Sequence, residues 1–244
     1  MQELWQIQYS WLIPLLPLAG AVIAGFFGAK WLKGQSHWPI WIGVGASAVI
    51  SLSLLFSMMG MSHPGAETAN GSPATLAVNK VFYQWVSAGD PAHAGTARFF
   101  DASAGFLFDP LTAVMLSVVC GIGFFITVFS AGYMKGEEGY FRFFAYLGLF
   151  IFAMTCLVMG NNLLMLYLGW EGVGLCSYLL IGYYYERPSA REAAKKAFLV
   201  NRVGDFCFGL GIMLSFMAFG TITFFSGTSQ HNGLLELAPS GNLT

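Results

Sequence analysis

The sequence predicts an all-α polytopic membrane protein of about six transmembrane helices, with a small outer region that holds a β-hairpin. Two observations carry this. The 244 residues are 56% hydrophobic and only 9% charged, against about 25% charged in ordinary soluble domains. Mean hydropathy is +0.64, and the apolar residues fall in runs long enough for a helix to cross about 30 Å of hydrocarbon.

The spans follow in order as Trp11–Trp31, Trp38–Gly60, Asp109–Tyr133, Phe143–Met159, Leu163–Tyr185 and Ala197–Thr221. The first is a retained helix and not a leader, because no Lys or Arg precedes it and Glu3 is acidic. Pro14 and Pro17 lie in its first turns, where proline is tolerated. Between the second and third spans, Ser62 to Pro73 reads as an irregular loop. Val81–Val86 and Ala97–Phe100 then read as the arms of a hairpin on the outer surface, separated by a Gly-Asp-Pro turn. Asp109-Pro110 supplies an N-cap and first helical position for span three.

Spans four and five are divided only by Gly160-Asn161-Asn162, a short polar turn. Before span six, Ser189-Ala190-Arg191-Glu192 is a capping box, and Glu192 stands four residues before Lys196. These signals predict a short interfacial helix leading into the last span.

The cations sort by side. Loops after spans one, three and five hold Lys30, Lys33, Lys135, Arg142, Arg187, Arg191, Lys195 and Lys196, whereas the opposite loops hold Lys80 and Arg98. The positive-inside rule puts the first set in the cytoplasm and both chain ends outside. A net charge of −1 gives no footprint for nucleic acid. Cys120, Cys156, Cys176 and Cys207 all fall in apolar spans without Cys-x-x-Cys spacing and read as small buried residues. His37, His63, His93 and His231 all lie in predicted loops, which argues against a bis-histidine haem.

Glu171 is the one charge between Leu163 and Tyr185. An acidic group at that depth costs about 2.5–3.5 kcal/mol on insertion scales, so it is expected to face a partner, a cavity or a proton path. Gly169, Gly172 and Gly174 clear space beside it for another helix or a water chain. Burial disfavours the charged form of a carboxylate and a nearby cation favours it, so a movable partner turns such a group into a proton relay. Apart from Lys30 at the very end of span one, no lysine lies in any other span, and the partner is expected from outside the segment or from a neighbouring subunit. In span six, Arg202 and Asp205 are three apart on one face and can pair.

Gly-Trp-Glu-Gly-Val-Gly-Leu-Cys-Ser-Tyr-Leu-Leu-Ile-Gly at 169–182 resembles the fifth helix of the large antiporter-like subunit of respiratory complex I (subunit L in bacteria, subunit 5 in mitochondria). The strings at 108–116, 136–146 and 196–205 extend the resemblance through the second half of the chain. It implies a proton-translocating membrane-arm subunit of NADH:quinone oxidoreductase, in the bacterial cytoplasmic (inner) membrane with the N-terminus outside. Glu171 then corresponds to the membrane glutamate of a proton half-channel, and Arg202 and Asp205 to a charged pair that bears on coupling.

The resemblance implies no cofactor in this chain: NAD, FMN, iron–sulfur clusters and quinone belong to other subunits. Its expected partners are the lipid bilayer and the other membrane-arm subunits, chiefly the adjacent antiporter-like one. The implied organisation is 1–60 for two helices, 61–108 for the outer loop and 109–160 for two more. Residues 161–221 begin the antiporter-like domain, and 222–244 form an outer loop before a seventh helix. On this reading the chain is the amino-terminal part of such a subunit. Two alternatives are the large subunit of a multisubunit sodium/proton antiporter or related ion-coupled bicarbonate transporter, and a non-conducting structural fragment.

Overall fold

In the computed structural model, residues 5–61, 78–88, 100–225 and 233–234 are described. A short helix α1 (Trp5–Gln8) precedes α2 (Leu12–Phe27), whose end tightens through a π turn at Gly28–Leu32 and a 3₁₀ turn at Lys33–Gln35. Then come α3 (His37–Met61), β1 (Val78–Ala88), β2 (Phe100–Phe108), α4 (Pro110–Tyr133), α5 (Tyr140–Met159), α6 (Leu163–Ile181) and α7 (Pro188–Phe219). Among the described residues, six helices are long and apolar enough to cross a membrane. The chain is a multi-pass membrane protein, as its composition predicts.

Helices α2 to α5 form a closed four-helix group: α2 packs on α3 and α5, α3 on α4, and α4 on α5. Helix α6 is appended to α5, and α7 to α6. The consequence shows in burial. Between 33% and 39% of each of the first four spans is buried, but only 11% of α6 and of α7. Leu199, Val203, Phe206, Leu210, Met213 and Met217 leave one face of α7 open.

Proline inside α2 is accommodated by a neighbour. Pro17 has no N–H to give the Ile13 carbonyl one turn back. The Ser47 hydroxyl of α3 donates to that oxygen instead, at 2.8 Å. Trp41 of α3 donates its indole N–H to the Thr127 carbonyl of α4 at 3.1 Å.

One end of the group is closed by the hairpin. β1 and β2 pair antiparallel with Val81 opposite Gly105 and bulges between Val81 and Tyr83 and between Gln84 and Val86. The second arm is Phe100–Phe108, not the predicted Ala97–Phe100, and residues 97–99 lie outside the described residues. Ala-Ser-Ala-Gly has weak strand propensity, so local sequence hid it. Only β1 faces outward, whereas Ala102, Phe106, Leu107 and Phe108 are buried. Lys80 donates to the Ile7 and Gln8 carbonyls at 3.0 and 2.8 Å and so caps α1.

The polar turn between α5 and α6 is a buried junction. Asn161 and Asn162 are 0% and 1% exposed. Asn162 caps α6, accepting from the Met165 N–H at 2.8 Å, and its amide reaches the Ser103 carbonyl at 2.5 Å. The Asn161 amide lies 3.1 Å from Asn79 Oδ1 and 3.2 Å from the Ser103 hydroxyl. Backbone bonds from Leu163 to Ile222 and from Phe224 to Asn161 bring the segment after α7 to the same place. Asp109 caps α4 as expected, accepting from the Thr112 N–H at 2.6 Å, with Pro110 following.

At the opposite end, the predicted capping box is not formed. Arg187 is the N-cap without a side-chain bond, Pro188 takes the first helical position, and Ser189 is already helical. Proline's preference for that position decides the register. There is no separate interfacial helix: Pro188–Phe219 is one continuous helix, ended by Gly220 at φ 74°. Glu192 pairs with Lys195 at 3.3 Å, not with Lys196. His37, expected in a loop, is the first residue of α3, and the Tyr140 hydroxyl lies 3.0 Å from its Nδ1. His63, His93, His231 and the loop from Ser62 to Pro73 fall outside the described residues. Burial pushes the Tyr183 phenol above its ordinary range, against the opposing effect of Arg142, while its hydroxyl donates to the Glu138 carbonyl at 3.0 Å.

Candidate functional site

Helix α6 is set against α5 by its glycines. A Cβ on Gly169 would lie 2.6 Å from Leu157 Cα, and one on Gly172 would lie 2.9 Å from Ala153 Cβ. Gly174 has open space beside it. Two of the three small residues therefore admit a helix, as the sequence suggested. With that face turned to α5, Trp170 and Glu171 are turned toward α7.

The three site residues predicted from sequence meet there. Arg202 Nη1 pairs with Glu171 Oε2 across the α6–α7 interface. The same nitrogen lies 3.5 Å from Asp205 Oδ2, one turn on in α7. The cation that Glu171 is expected to draw from outside its own segment or from a neighbouring subunit is Arg202 of α7, in this chain. Helix periodicity relates Arg202 to Asp205 and gives no sign of this contact.

Two features escaped the sequence reading. Trp170 Nε1 donates to Asp205 Oδ1 at 2.9 Å, so Asp205 is held from both sides. Its side chain is 9% exposed, against 21% for Glu171 and 42% for Arg202. Aromatic rings also enclose the group. Phe198 lies 4.6 Å beneath the Arg202 guanidinium, a favourable cation–π position. Phe208 meets Tyr167 and Trp170 edge to face at 5.6 and 5.9 Å. Tyr167 also faces the Glu171 carboxylate. Trp170 directly precedes Glu171 and was passed over there; tryptophan in mid-span, away from the interfacial belt, was the available signal.

Chemically this is a carboxylate–guanidinium–carboxylate triad at mid-span depth. A planar guanidinium with five donors can serve two carboxylates at once. One cation between two acids leaves one negative charge in excess, which a proton can neutralise. Among the described residues, no three His, Cys, Asp or Glu side chains gather in a way that could hold a metal ion. The cysteines are free, and Cys207, expected to be buried, is exposed on α7.

Residues 95–144 match the family described as NADH-ubiquinone oxidoreductase (complex I), chain 5 N-terminus. Residues 160–240 match the transmembrane family of NADH:quinone oxidoreductase and Mrp antiporters. The fold is similar to that in the Mrp complex from Dietzia sp. DQ12-45-1b, with a TM-score of 0.63 and 20% identity over 88% of this chain and 20% of that one. It is also similar to the membrane-bound sulfane sulfur reductase, an archaeal respiratory membrane complex, with a TM-score of 0.64 and 16% identity over 89% and 39%. At those identities the likeness is one of fold.

Two stretches of the chain thus match families of membrane subunits found in NADH:quinone oxidoreductase and Mrp antiporters. Over most of its length the chain is similar to a part of NADH-quinone oxidoreductase subunit L. Identity is 45% to the Neisseria meningitidis serogroup A protein, over 94% of this chain and 30% of that one. It is 40% to the Pseudomonas aeruginosa protein, over 94% and 34%, and 39% to the Escherichia coli K12 protein, over 93% and 32%. The chain thus spans about a third of the length of these curated relatives.

Proposed function

We propose that this chain forms the first part of a proton-translocating subunit of NADH:quinone oxidoreductase, with Glu171 as its proton-binding group. The observation that carries the reading is the sharing of Arg202 between Glu171 and Asp205. While the guanidinium faces Glu171, the ionised carboxylate is compensated. When it turns to Asp205, Glu171 is left without a cation inside the span and takes up a proton. Return of Arg202 expels the proton. Trp170 holds Asp205 in place as the second station.

In this reading residues 161–221 open the antiporter-like domain, the N-terminus is outside, and the membrane is the bacterial cytoplasmic one. The cation-bearing loops after α4 and α6 then lie in the cytoplasm, and the hairpin end faces outward. Redox cofactors and quinone reside in other subunits, and α7's open apolar face is covered by lipid or by further membrane-arm helices.

The test is Glu171→Gln in the assembled enzyme, in sealed membrane vesicles oxidising NADH. Proton uptake per NADH falls severalfold while the enzyme still assembles; undiminished pumping overturns the assignment. The second family match also covers Mrp antiporters, so sodium movement without NADH oxidation would favour the transporter reading.

A further inference from the structure

Where α5, α6 and α7 converge at the end opposite the hairpin, they enclose a cavity of about 310 Å³. Its lining includes Arg142 from α5, Arg191 and Lys195 from α7, and the rings of Tyr146, Tyr178 and Tyr185. Among the described residues, no acidic side chain lines it. Arg191 and Lys195 are four apart, so both point from one face of α7. Arg142 is stacked by its guanidinium face, 5.0 Å from the Tyr185 ring and 5.9 Å from the Tyr183 ring. These rings hold the guanidinium at the cavity wall, and an arginine there can donate several N–H bonds to an anion. Among the described residues, neither Arg142 nor Arg191 has a carboxylate within 4 Å, and Lys195 is engaged only by the exposed Glu192.

We infer that this cavity binds the phosphodiester headgroup of an anionic phospholipid. Three cations converge from two helices on a lining that holds no carboxylate, with Glu192 paired to Lys195 from outside it and Glu137, Glu138 and Glu186 lining the adjoining cavity, and such a lining suits a phosphate. The position selects a lipid as the source of that phosphate. The cavity sits at the ends of three spans, at headgroup depth, and basic pockets between transmembrane helices at that level hold anionic headgroups. Tyrosine rings line it as amphipathic groups do at a membrane interface. The site is separate from the Glu171 triad and does not rest on its role.

The test uses the protein purified in neutral detergent from its native membrane with its associated subunits. Binding of short-chain phosphatidylglycerol, phosphatidylcholine and inorganic phosphate is titrated by native mass spectrometry. Phosphatidylglycerol is expected to bind at least tenfold tighter than either of the others. Arg142→Gln combined with Arg191→Gln weakens it about twenty-fivefold, at about a factor of five per cation. Lys135→Gln, which removes a cation from the same side outside the cavity, changes it less than about twofold. Equal binding of phosphatidylcholine, equal loss in Lys135→Gln, or inorganic phosphate binding as tightly as the lipid overturns the proposal. The lipid comparison on the unaltered protein stands even if the double variant does not fold.

Discussion

Arg202 of α7 pairs with Glu171 of α6 across the interface of the two least buried spans. Its partner within the helix, Asp205, lies 3.5 Å away and is itself held by Trp170. A charge that can be shared between two acids needs room to turn, and α6 and α7 supply it because neither belongs to the closed group of α2 to α5.

If Glu171 and Arg202 act as one unit, their substitutions are not additive. Arg202→Gln is expected to abolish coupled proton uptake about as fully as Glu171→Gln, and the double variant to be no worse than either. Arg202→Lys keeps the charge but loses the planar fork, and is expected to restore only part of the coupling. Vesicle proton uptake per NADH in the three variants checks this.

Trp170→Phe removes one hydrogen bond to a charged group, a loss of about 1.5–3 kcal/mol. Asp205 is then free to turn toward Arg202, and coupling is expected to fall while NADH oxidation continues. Trp170→Tyr carries its hydroxyl farther from the backbone than the indole N–H and in a different direction, so it does not reproduce the 2.9 Å bond. The comparison is made on assembled enzyme, with proton uptake and oxidation measured together.

Ser47→Ala strands the Ile13 carbonyl that Pro17 leaves without a backbone donor. The expected cost is about 1–3 kcal/mol. Pro17→Ala restores the missing N–H, so the double variant recovers more stability than Ser47→Ala alone. Thermal unfolding in detergent of the wild type and three variants completes the cycle.

Gly169→Ala forces a methyl group to within 2.6 Å of Leu157 Cα. Helix α6 must move off α5, at about 1–3 kcal/mol, and carries Glu171 with it. Gly174→Ala meets nothing within 4 Å and is expected to be silent. The pair separates the packing glycines from the free one by unfolding temperature and coupling.

Most of the architecture was legible because each span is a long apolar run and the cap at Asp109 is a local signal. What was hidden depended on distant partners. β2 forms from weak strand residues because β1 and the Asn161–Asn162 junction supply its bonds. The start of α7 was set by Pro188 against a competing Ser189 signal. At the site, Glu171, Arg202 and Asp205 were each marked by charge in an apolar run. Their assembly was not, since helix periodicity relates Arg202 only to Asp205 and says nothing of which face α6 presents to α7. Trp170 was hidden by the abundance of tryptophan in membrane proteins.

The central claim is that Glu171 gains and loses a proton as Arg202 changes partner. Infrared difference spectroscopy on the assembled enzyme, with Glu171→Gln as the assignment control, measures this directly. The account predicts a protonated carboxyl band that rises and falls with NADH turnover and vanishes in the variant. A carboxylate that stays ionised throughout turnover, with no band lost in Glu171→Gln, would contradict it.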